Sequence, residues 1–544
     1  MAVTDRIDDV SDRVRGRSRS DTQTLVLTLL AGSVAVAVLT PLLWIVLRAS
    51  EVPPDRFLDI LFRETTAEIF LNTVVLVVAV TAGSILLGVP LAMLTAQTDL
   101  PFRRLFTVLA ALPLVVPSYI GAFAFVSAFG PRGVLADALA PLGIERIPSI
   151  FGLPGTVLVL TLFTYPYVFL TTRASLLSID GRGVEAARTL NHTRWGAFRR
   201  VTLPQLKPGI AAGSLLVALY TLSDFGTPAI MQYDVFTRII FVETTARRVD
   251  FAAIFSLLLV GLTVVILAAE SKVERDDDES AYVNRGTDRP GIIELGQWRW
   301  VATLFPIAVA VLALAVPPAI LLMWLRMSTP ELAGAAVQFE WDFAWNSVTV
   351  SGLAAGVSIV AALPLAYLSA RGDSKLTALP ERASYVGYAL PGIVVGFGLL
   401  FAGLTFTPFL YGSLVILVFA YVVRFLPQAV GTIRSSVLQV DPQLLEAART
   451  LGRSPLTAFR KVVLPLVMPG VIAGGALVFL TSMKELAATL LLRPFGFETL
   501  VTYIWQVQEA AAYGKSAVPA LVLIGISGLS MLVILGRERY DVKE

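Results

Sequence analysis

Cysteine is absent from this 544-residue chain, and histidine occurs once, at His192. The first absence excludes disulfides, iron–sulfur clusters and thiolate metal sites. The second excludes a histidine-rich metal centre. Charge is scarce as well. Asp, Glu, Lys and Arg make up 15% of residues, against about 25% in soluble domains, and the formal net charge is only +3. That balance fits neither a soluble protein of this length nor a nucleic-acid surface. Apolar residues are plentiful instead, at 56% of the chain, with a mean hydropathy of +0.75. Runs of about 20 apolar residues, enough to cross a ~30 Å hydrocarbon layer, recur throughout. LVLTLLAGSVAVAVLTPLLWIVL near the start and FAAIFSLLLVGLTVVILAA at 251–269 are two of them. The expected fold is an all-α polytopic membrane protein.

Spans are expected near 24–48, 67–97, 105–129, 154–176, 207–231 and 250–270, and again near 300–325, 342–370, 383–407, 409–432, 468–492 and 516–536. About twelve spans place both termini on one side. Arginine and lysine mark the cytoplasmic side of a membrane protein. The N-terminal stretch carries Arg6, Arg13, Arg15, Arg17 and Arg19, and the C-terminus carries Arg537, Arg539 and Lys543. Arg103, Arg104, Arg371, Lys375 and Arg382 fall in loops on the same side, whereas Arg238, Arg247 and Arg248 form a local exception outside. Residues 1–23 lack the apolar core of a signal peptide and read as a retained cytoplasmic tail, matched by a second tail at 537–544. The expected location is the cytoplasmic membrane, multi-pass, with both termini cytoplasmic.

The chain repeats itself. EAARTLNHTRWGAFRRVTLPQLKPG (185–209) and EAARTLGRSPLTAFRKVVLPLVMPG (446–470) share 14 of 25 positions at an offset of 261. Upstream the repeat continues at an offset of 274, pairing Asn72 with Asn346 and Pro90 with Pro364. The 13-residue difference falls in an outer loop, where insertions are tolerated. Six spans separate the copies, so the halves are parallel repeats about an axis along the membrane normal. The first half is assigned to 24–270 and the second to 300–536. Between them, the polar, acidic segment 271–299 reads as a cytoplasmic linker.

Both copies read as helix, tight turn, helix at the membrane surface. In the second, Asp441 and Pro442 open a helix, Gly452 stands where a left-handed residue closes it, and Ser454 and Pro455 open the next. In the first, Asp180 and Thr193 take the capping positions and Asn191, the next most tolerant residue of left-handed backbone, replaces the glycine. Surface loops ordinarily drift, yet these two match better than most of the spans. Both therefore meet the same partner.

Glu-Ala-Ala, three residues, Gly, a basic amphipathic stretch and Leu-Pro resemble the EAA loop of ABC-importer permease subunits. The second copy matches throughout, at Glu446, Ala447, Ala448, Gly452, Leu464 and Pro465; the first, at Glu185, Ala186 and Ala187, departs at Asn191, which implies a stiffer turn or a weaker ATPase contact there. The resemblance implies a type I importer permease fold with coupling loops at 180–209 and 441–470. Each loop would sit in a cleft of an ATPase subunit, with Glu185 and Glu446 in contact, so two copies of that subunit are implied. It further implies an extracytoplasmic substrate-binding protein, a surrounding of membrane lipid, ATP used by the partner, and no cofactor or catalysis on this chain. Two fused halves, and MKELAATLLLRPFGFETLVTYIW at 483–505 above all, are similar to ferric-iron permeases, with thiamine permeases next. Thiamine, a polyamine or a small oxyanion stay open as cargo. An ion-coupled secondary transporter of parallel repeats is a weaker reading, because it leaves the twin loops unexplained.

Ionisable residues within spans are costly and point to function. Ser223 and Asp224 in one half correspond to Lys484 and Glu485 in the other, as candidates for a translocation path, a gate or the interface between halves. Consecutive residues face different sides of a helix, so Lys484 and Glu485 are not expected to pair with each other. Arg173 and Arg434 are expected to snorkel to the inner membrane edge. No cluster of carboxylates, tyrosines or histidines along the sequence announces a metal site. YGKS at 513–516 lacks the first glycine of a phosphate-binding loop, since Glu509 stands there. The glycosylation pattern at Asn191–Thr193 faces the cytoplasm, and His192 reads as a loop surface residue.

Overall fold

Apolar residues dominate the spans, and in hydrocarbon every backbone group needs an internal partner, so helices are the expected solution. A computed structural model of the chain describes residues 4–130, 149–191, 193–281, 291–327, 338–371, 375–510 and 512–538. His192 and residues 131–148, which hold most of the repeat's insertion, lie outside the described residues. Among those described, ten helices are long and apolar enough to cross a membrane, and two further helix pairs bring the number to twelve if each pair is one span.

Those two pairs differ from the expectation of continuous spans. Arg103–Val115 meets Ser118–Phe129 at 93°, and Leu379–Ala389 meets Gly392–Thr405 at 101°. Pro117 and Pro391 sit at the bends, at the repeat offset of 274. A proline disfavours helical backbone in the residue before it, and each proline here is itself extended, with ψ of 135° and 143°. The third span of each half is thus broken by the same residue.

Within each half, the second, fourth and fifth spans pack together: Glu64–Gln97, Leu153–Ser178 and Leu203–Ser223 in the first, Trp341–Arg371, Leu414–Gln439 and Leu464–Met483 in the second. Lipid supplies little hydrophobic drive for helix association, so small residues at contacts matter. A Cβ at Gly209 would stand 2.1 Å from the Ser175 hydroxyl oxygen, and one at Gly470 2.1 Å from that of Ser436. These glycines close the two repeated 25-residue segments, and close packing accounts for their retention.

The halves are interlocked. The first helix, Thr4–Ser50, packs mainly on Lys375–Ala389 and Gly392–Thr405 of the second half, and also on Val249–Ala281. Reciprocally, Val316–Met327 packs on Ser118–Phe129 of the first half. Within the first half, Arg48 at the end of the first helix pairs with Asp250 at the start of the sixth span at 2.5 Å, with Arg56 reaching the same carboxylate at 2.9 Å. Most of the expected N-terminal tail is helical and continuous with the first span. Likewise the sixth span runs on as helix to Ala281, beyond the expected boundary at 270. After residues 282–290, which lie outside the described residues, the chain docks on the loop between the second and third spans of the first half. There Ile293 N–H donates to the Gln97 carbonyl at 2.7 Å and Leu295 N–H to the Asp99 carboxylate at 2.8 Å.

Candidate functional site

The two surface loops fold as a matched pair. Short helices Gly181–Thr189 and Pro442–Thr450 begin at capping carboxylates, with Arg182 N–H donating to Asp180 at 3.1 Å and Gln443 N–H to Asp441 at 2.9 Å. Both turns close on left-handed backbone, φ 60° at Asn191 and φ 75° at Gly452. The following helix opens on Thr193, whose hydroxyl accepts from Gly196 N–H at 3.1 Å, and in the other copy on Ser454, which accepts from Thr457 N–H at 3.4 Å. One π-turn follows in each, Phe198–Thr202 and Phe459–Val463. Pro204 and Pro465 explain it: a proline cannot donate to the carbonyl four residues back and crowds it, and a widened turn relieves the clash. Beyond the π-turn the backbone runs uninterrupted into the fifth span, so each loop is a rigid continuation of a membrane helix.

Glu185, Ala186, Glu446 and Ala447 are exposed, whereas Ala187 and Ala448 are buried at 7% and 8% exposure. The second alanine of each motif therefore seats the helix on the protein, and the glutamate and first alanine present the outer face. Neither glutamate has a side-chain partner within the chain among the described residues. Such carboxylates are available to another protein.

About 30 Å along the fifth span, at 1.5 Å per residue, each half breaks again. Leu203–Ser223 stops at Asp224, Leu464–Met483 stops at Lys484, and short helices Gly226–Ile230 and Ala487–Leu492 follow. The acid caps the new helix in both. Asp224 accepts from Thr227 N–H at 2.8 Å and Glu485 from Ala488 N–H at 3.1 Å. Their second oxygens differ. Asp224 accepts a short hydrogen bond from the Ser118 hydroxyl, and Glu485 forms an ion pair with Arg424. The positions matching Ser118 and Arg424 in the other half are Gly392 and Phe163. Gly392 makes room: a Cβ there would lie 2.4 Å from a Glu485 carboxylate oxygen and 2.6 Å from an Arg424 nitrogen. Lys484 turns away from Glu485 and donates to the Leu114 carbonyl at 2.9 Å, joining the second half to the broken span of the first. Ser223 ends its helix without a side-chain hydrogen bond among the described residues. Arg434 lies 3.5 Å from Glu381 rather than standing alone.

The sequence pattern of the family described as "binding-protein-dependent transport system inner membrane component" matches residues 84–270 and 362–537, one match per half. The chain belongs to this family. It is therefore a multi-pass membrane permease component rather than an enzyme, and ATP in such systems is hydrolysed by a separate subunit. The permease is 32% identical over 512 residues to the Fe(3+)-transport system permease protein FbpB 2 of Haemophilus influenzae, covering 93% of this chain and 97% of that one. A ferric transport system permease protein FbpB of Actinobacillus pleuropneumoniae is 24% identical over 87% of this chain and 71% of its own length. The molybdenum transport system permease protein ModB of Mycobacterium bovis is 32% identical over 44% of this chain and 89% of its own length.

Three features of the permease escaped the sequence reading. Leu190 and Leu451, equivalent in the repeat, are 74% and 81% exposed beside the motif glutamates. With Trp195, also exposed, they form an apolar complement to the carboxylates of the kind that anchors a protein partner. Identical leucines in an otherwise polar loop were the available signal. Arg424 was the second, signalled only by being a cation in mid-span. The third is a set of tyrosines near the breaks, Tyr119, Tyr220 and Tyr421, which share the surroundings of Asp224 and Glu485; they arrive from separate segments, so no sequence cluster announces them.

The left-handed turns give a test of the loops themselves. A Cβ at Gly452 meets nothing within 4 Å, so substitutions there act through backbone strain alone. Gly452→Asn, the residue type of the first copy, is expected to leave thermal stability and transport near wild type. Gly452→Val places a β-branched residue at positive φ and is expected to cost about 1–2 kcal/mol. Thermal unfolding of the purified permease distinguishes the two; equal loss in both variants would overturn the account of the turn.

Proposed function

We propose that this permease imports ferric iron, with two copies of a cytoplasmic ATPase subunit docked on its two loops and an extracytoplasmic binding protein delivering cargo to the outer mouth between the halves. The observation that carries the iron reading is end-to-end similarity to an Fe(3+)-transport permease, including both halves, whereas similarity to the molybdenum permease spans one half-length only. The distribution of Arg and Lys supports placing both loops and both termini in the cytoplasm.

The proposed mechanism follows from rigidity. Closure of an ATPase dimer would draw the two loops together. Each loop continues as helix through the π-turn into a fifth span, whose far end is the break at Asp224 or Lys484. A displacement at the cytoplasmic surface therefore reaches the breaks as a tilt of two stiff rods. The Lys484–Leu114 bond crosses between halves, so it would be made or broken as the path alternates between outward and inward access. Glu185, Ala186, Glu446 and Ala447 serve as coupling contacts, Ala187, Ala448, Asn191 and Gly452 hold their shape, and Ser223, Asp224, Lys484 and Glu485 lie at the path.

The test is the assembled transporter in proteoliposomes. Ferric-loaded binding protein is expected to raise ATP hydrolysis and drive accumulation of radioactive iron; the molybdate-loaded protein of a molybdenum system is expected to do neither. Stimulation by an oxyanion, with none by ferric iron, would overturn the iron assignment and leave the permease architecture standing.

A further inference from the structure

The two breaks have the same backbone and different chemistry, and the difference falls on one side. In the second half the acid is neutralised, because Glu485 is paired with Arg424 and the positions matching Ser118, Tyr119 and Tyr220 are Gly392, Ile393 and Thr481. Thr481 is occupied elsewhere, donating to the Gln428 side-chain oxygen at 3.0 Å. In the first half Asp224 has no ion-pair partner among the described residues. Its neighbours are hydroxyls: Ser118 donates to it, and Tyr220 donates to Ser118 at 3.2 Å.

Tyr119 completes the group. It is 5% exposed, yet its hydroxyl has no hydrogen-bond partner among the described residues, which is costly for a buried polar group unless something else visits it. It packs on the first break, where a Cβ at Gly226 would lie 2.6 Å from the Tyr119 Cβ, and that same Gly226 Cβ would stand 3.3 Å from Leu486 of the second break. Tyr119 directly follows Ser118, the residue that donates to Asp224. Asp224 and Tyr220 are half-buried rather than sealed, as residues beside a passage must be.

We propose that Asp224, Tyr119, Tyr220 and Ser118 form a transit site for a hard, oxygen-preferring multivalent cation, ferric iron on the reading above, at the contact between the two breaks. The donor set is all oxygen: one carboxylate, two phenols and one alcohol. Hard cations take such ligands, whereas soft metals take sulfur. An uncompensated carboxylate repels an oxyanion, so the same site disfavours molybdate. While its phenols keep their protons the site carries a single negative charge and holds the ion weakly, which transit requires, since an ion held tightly in mid-path would not leave. The Arg424–Glu485 pair neutralises the acid of the opposite wall, where Lys484 is held by the Leu114 carbonyl, so the attraction for the ion comes from the Asp224 wall alone.

This inference rests on the iron reading, and the experiment separates the two. The full transporter, with ATPase and ferric-loaded binding protein, is assembled in proteoliposomes, and the number of ferric ions delivered per ATP hydrolysed is measured for wild type, Tyr119→Phe and Asp224→Asn. Tyr119→Phe keeps the ring against Gly226 and removes one oxygen. Asp224→Asn keeps an acceptor for Thr227 N–H and removes the charge. The ratio is expected to fall about tenfold for Tyr119→Phe and further for Asp224→Asn, on the scale of one lost polar contact and one lost charge. An unchanged ratio in both variants overturns the transit site, as does a parallel fall in hydrolysis and uptake at constant ratio, the mark of a purely structural role. A wild-type transporter that ferric-loaded binding protein fails to stimulate would instead overturn the iron reading itself.

Discussion

Replacing Glu185 and Glu446 together with alanine is expected to abolish iron uptake while leaving the permease folded. Both side chains are exposed and have no partner within the chain among the described residues, and substitutions at such positions usually change stability by within about 0.5 kcal/mol. Alanine also suits the middle of a short helix better than most residues. Any large effect must then come from outside the chain. A contact residue at the centre of a protein interface is worth about 2 kcal/mol or more on truncation, which is about 30-fold in affinity. Each loop would dock its own ATPase copy, so losing one contact would leave one productive side, and losing both would release the pair. Single variants are therefore expected to retain measurable uptake and the double variant to fall by about two orders of magnitude or more. Copurification of the ATPase should fall in step, with the monodispersity and melting temperature of the permease near wild type. A double variant that transports normally would remove the loops from the mechanism. One that melts much earlier would show that the carboxylates stabilise the fold.

The twin loops were the most legible part of the molecule. Their caps, turns and left-handed positions follow from local rules, because an exposed helix–turn–helix has little except its own residues to specify it. Asn191 is the clearest case: the sequence placed it at positive φ, and it lies at φ 60°. The number of spans was legible for a related reason, since hydropathy reports the solvent. The breaks were less so, although Pro117 and Pro391 stand at matching repeat positions and could have been weighed as interruptions. The helix exchange was not legible. A helix face packed on another helix and one packed on lipid are both apolar, so nothing in the sequence of Thr4–Ser50 tells which half receives it. The polar group at the breaks shows the same limit from another side. Tyr119, Tyr220, Asp224 and Glu485 come from three different spans and two halves, and the bend at Pro117 and the breaks in the two fifth spans bring them together.

The ion pair at the second break yields the other large effect. Arg424 and Glu485 are buried to 12% and 9% side-chain exposure, and each is the other's only ionic partner among the described residues. Removing one member of a buried pair strands the other charge, at a cost of about 3–5 kcal/mol. Arg424→Leu is therefore expected to destabilise the permease severely, visible as a large drop in its unfolding midpoint in detergent. The paired change Arg424→Leu with Glu485→Gln should recover most of that loss. Glutamine retains an oxygen to accept from Ala488 N–H, the cap of the Ala487–Leu492 helix, and leucine restores an apolar side chain like Phe163, its repeat counterpart. Replacement of a buried ion pair by apolar neighbours is often neutral or better, and the first half already runs its break without one. Gly392→Ser, the reverse borrowing, should fail with the ion pair present, because its Cβ would enter the space the pair occupies. A double variant as damaged as Arg424→Leu alone would mean that the arginine acts through something other than Glu485. Recovery of stability without recovery of transport would instead show that the neutralised second wall belongs to the path.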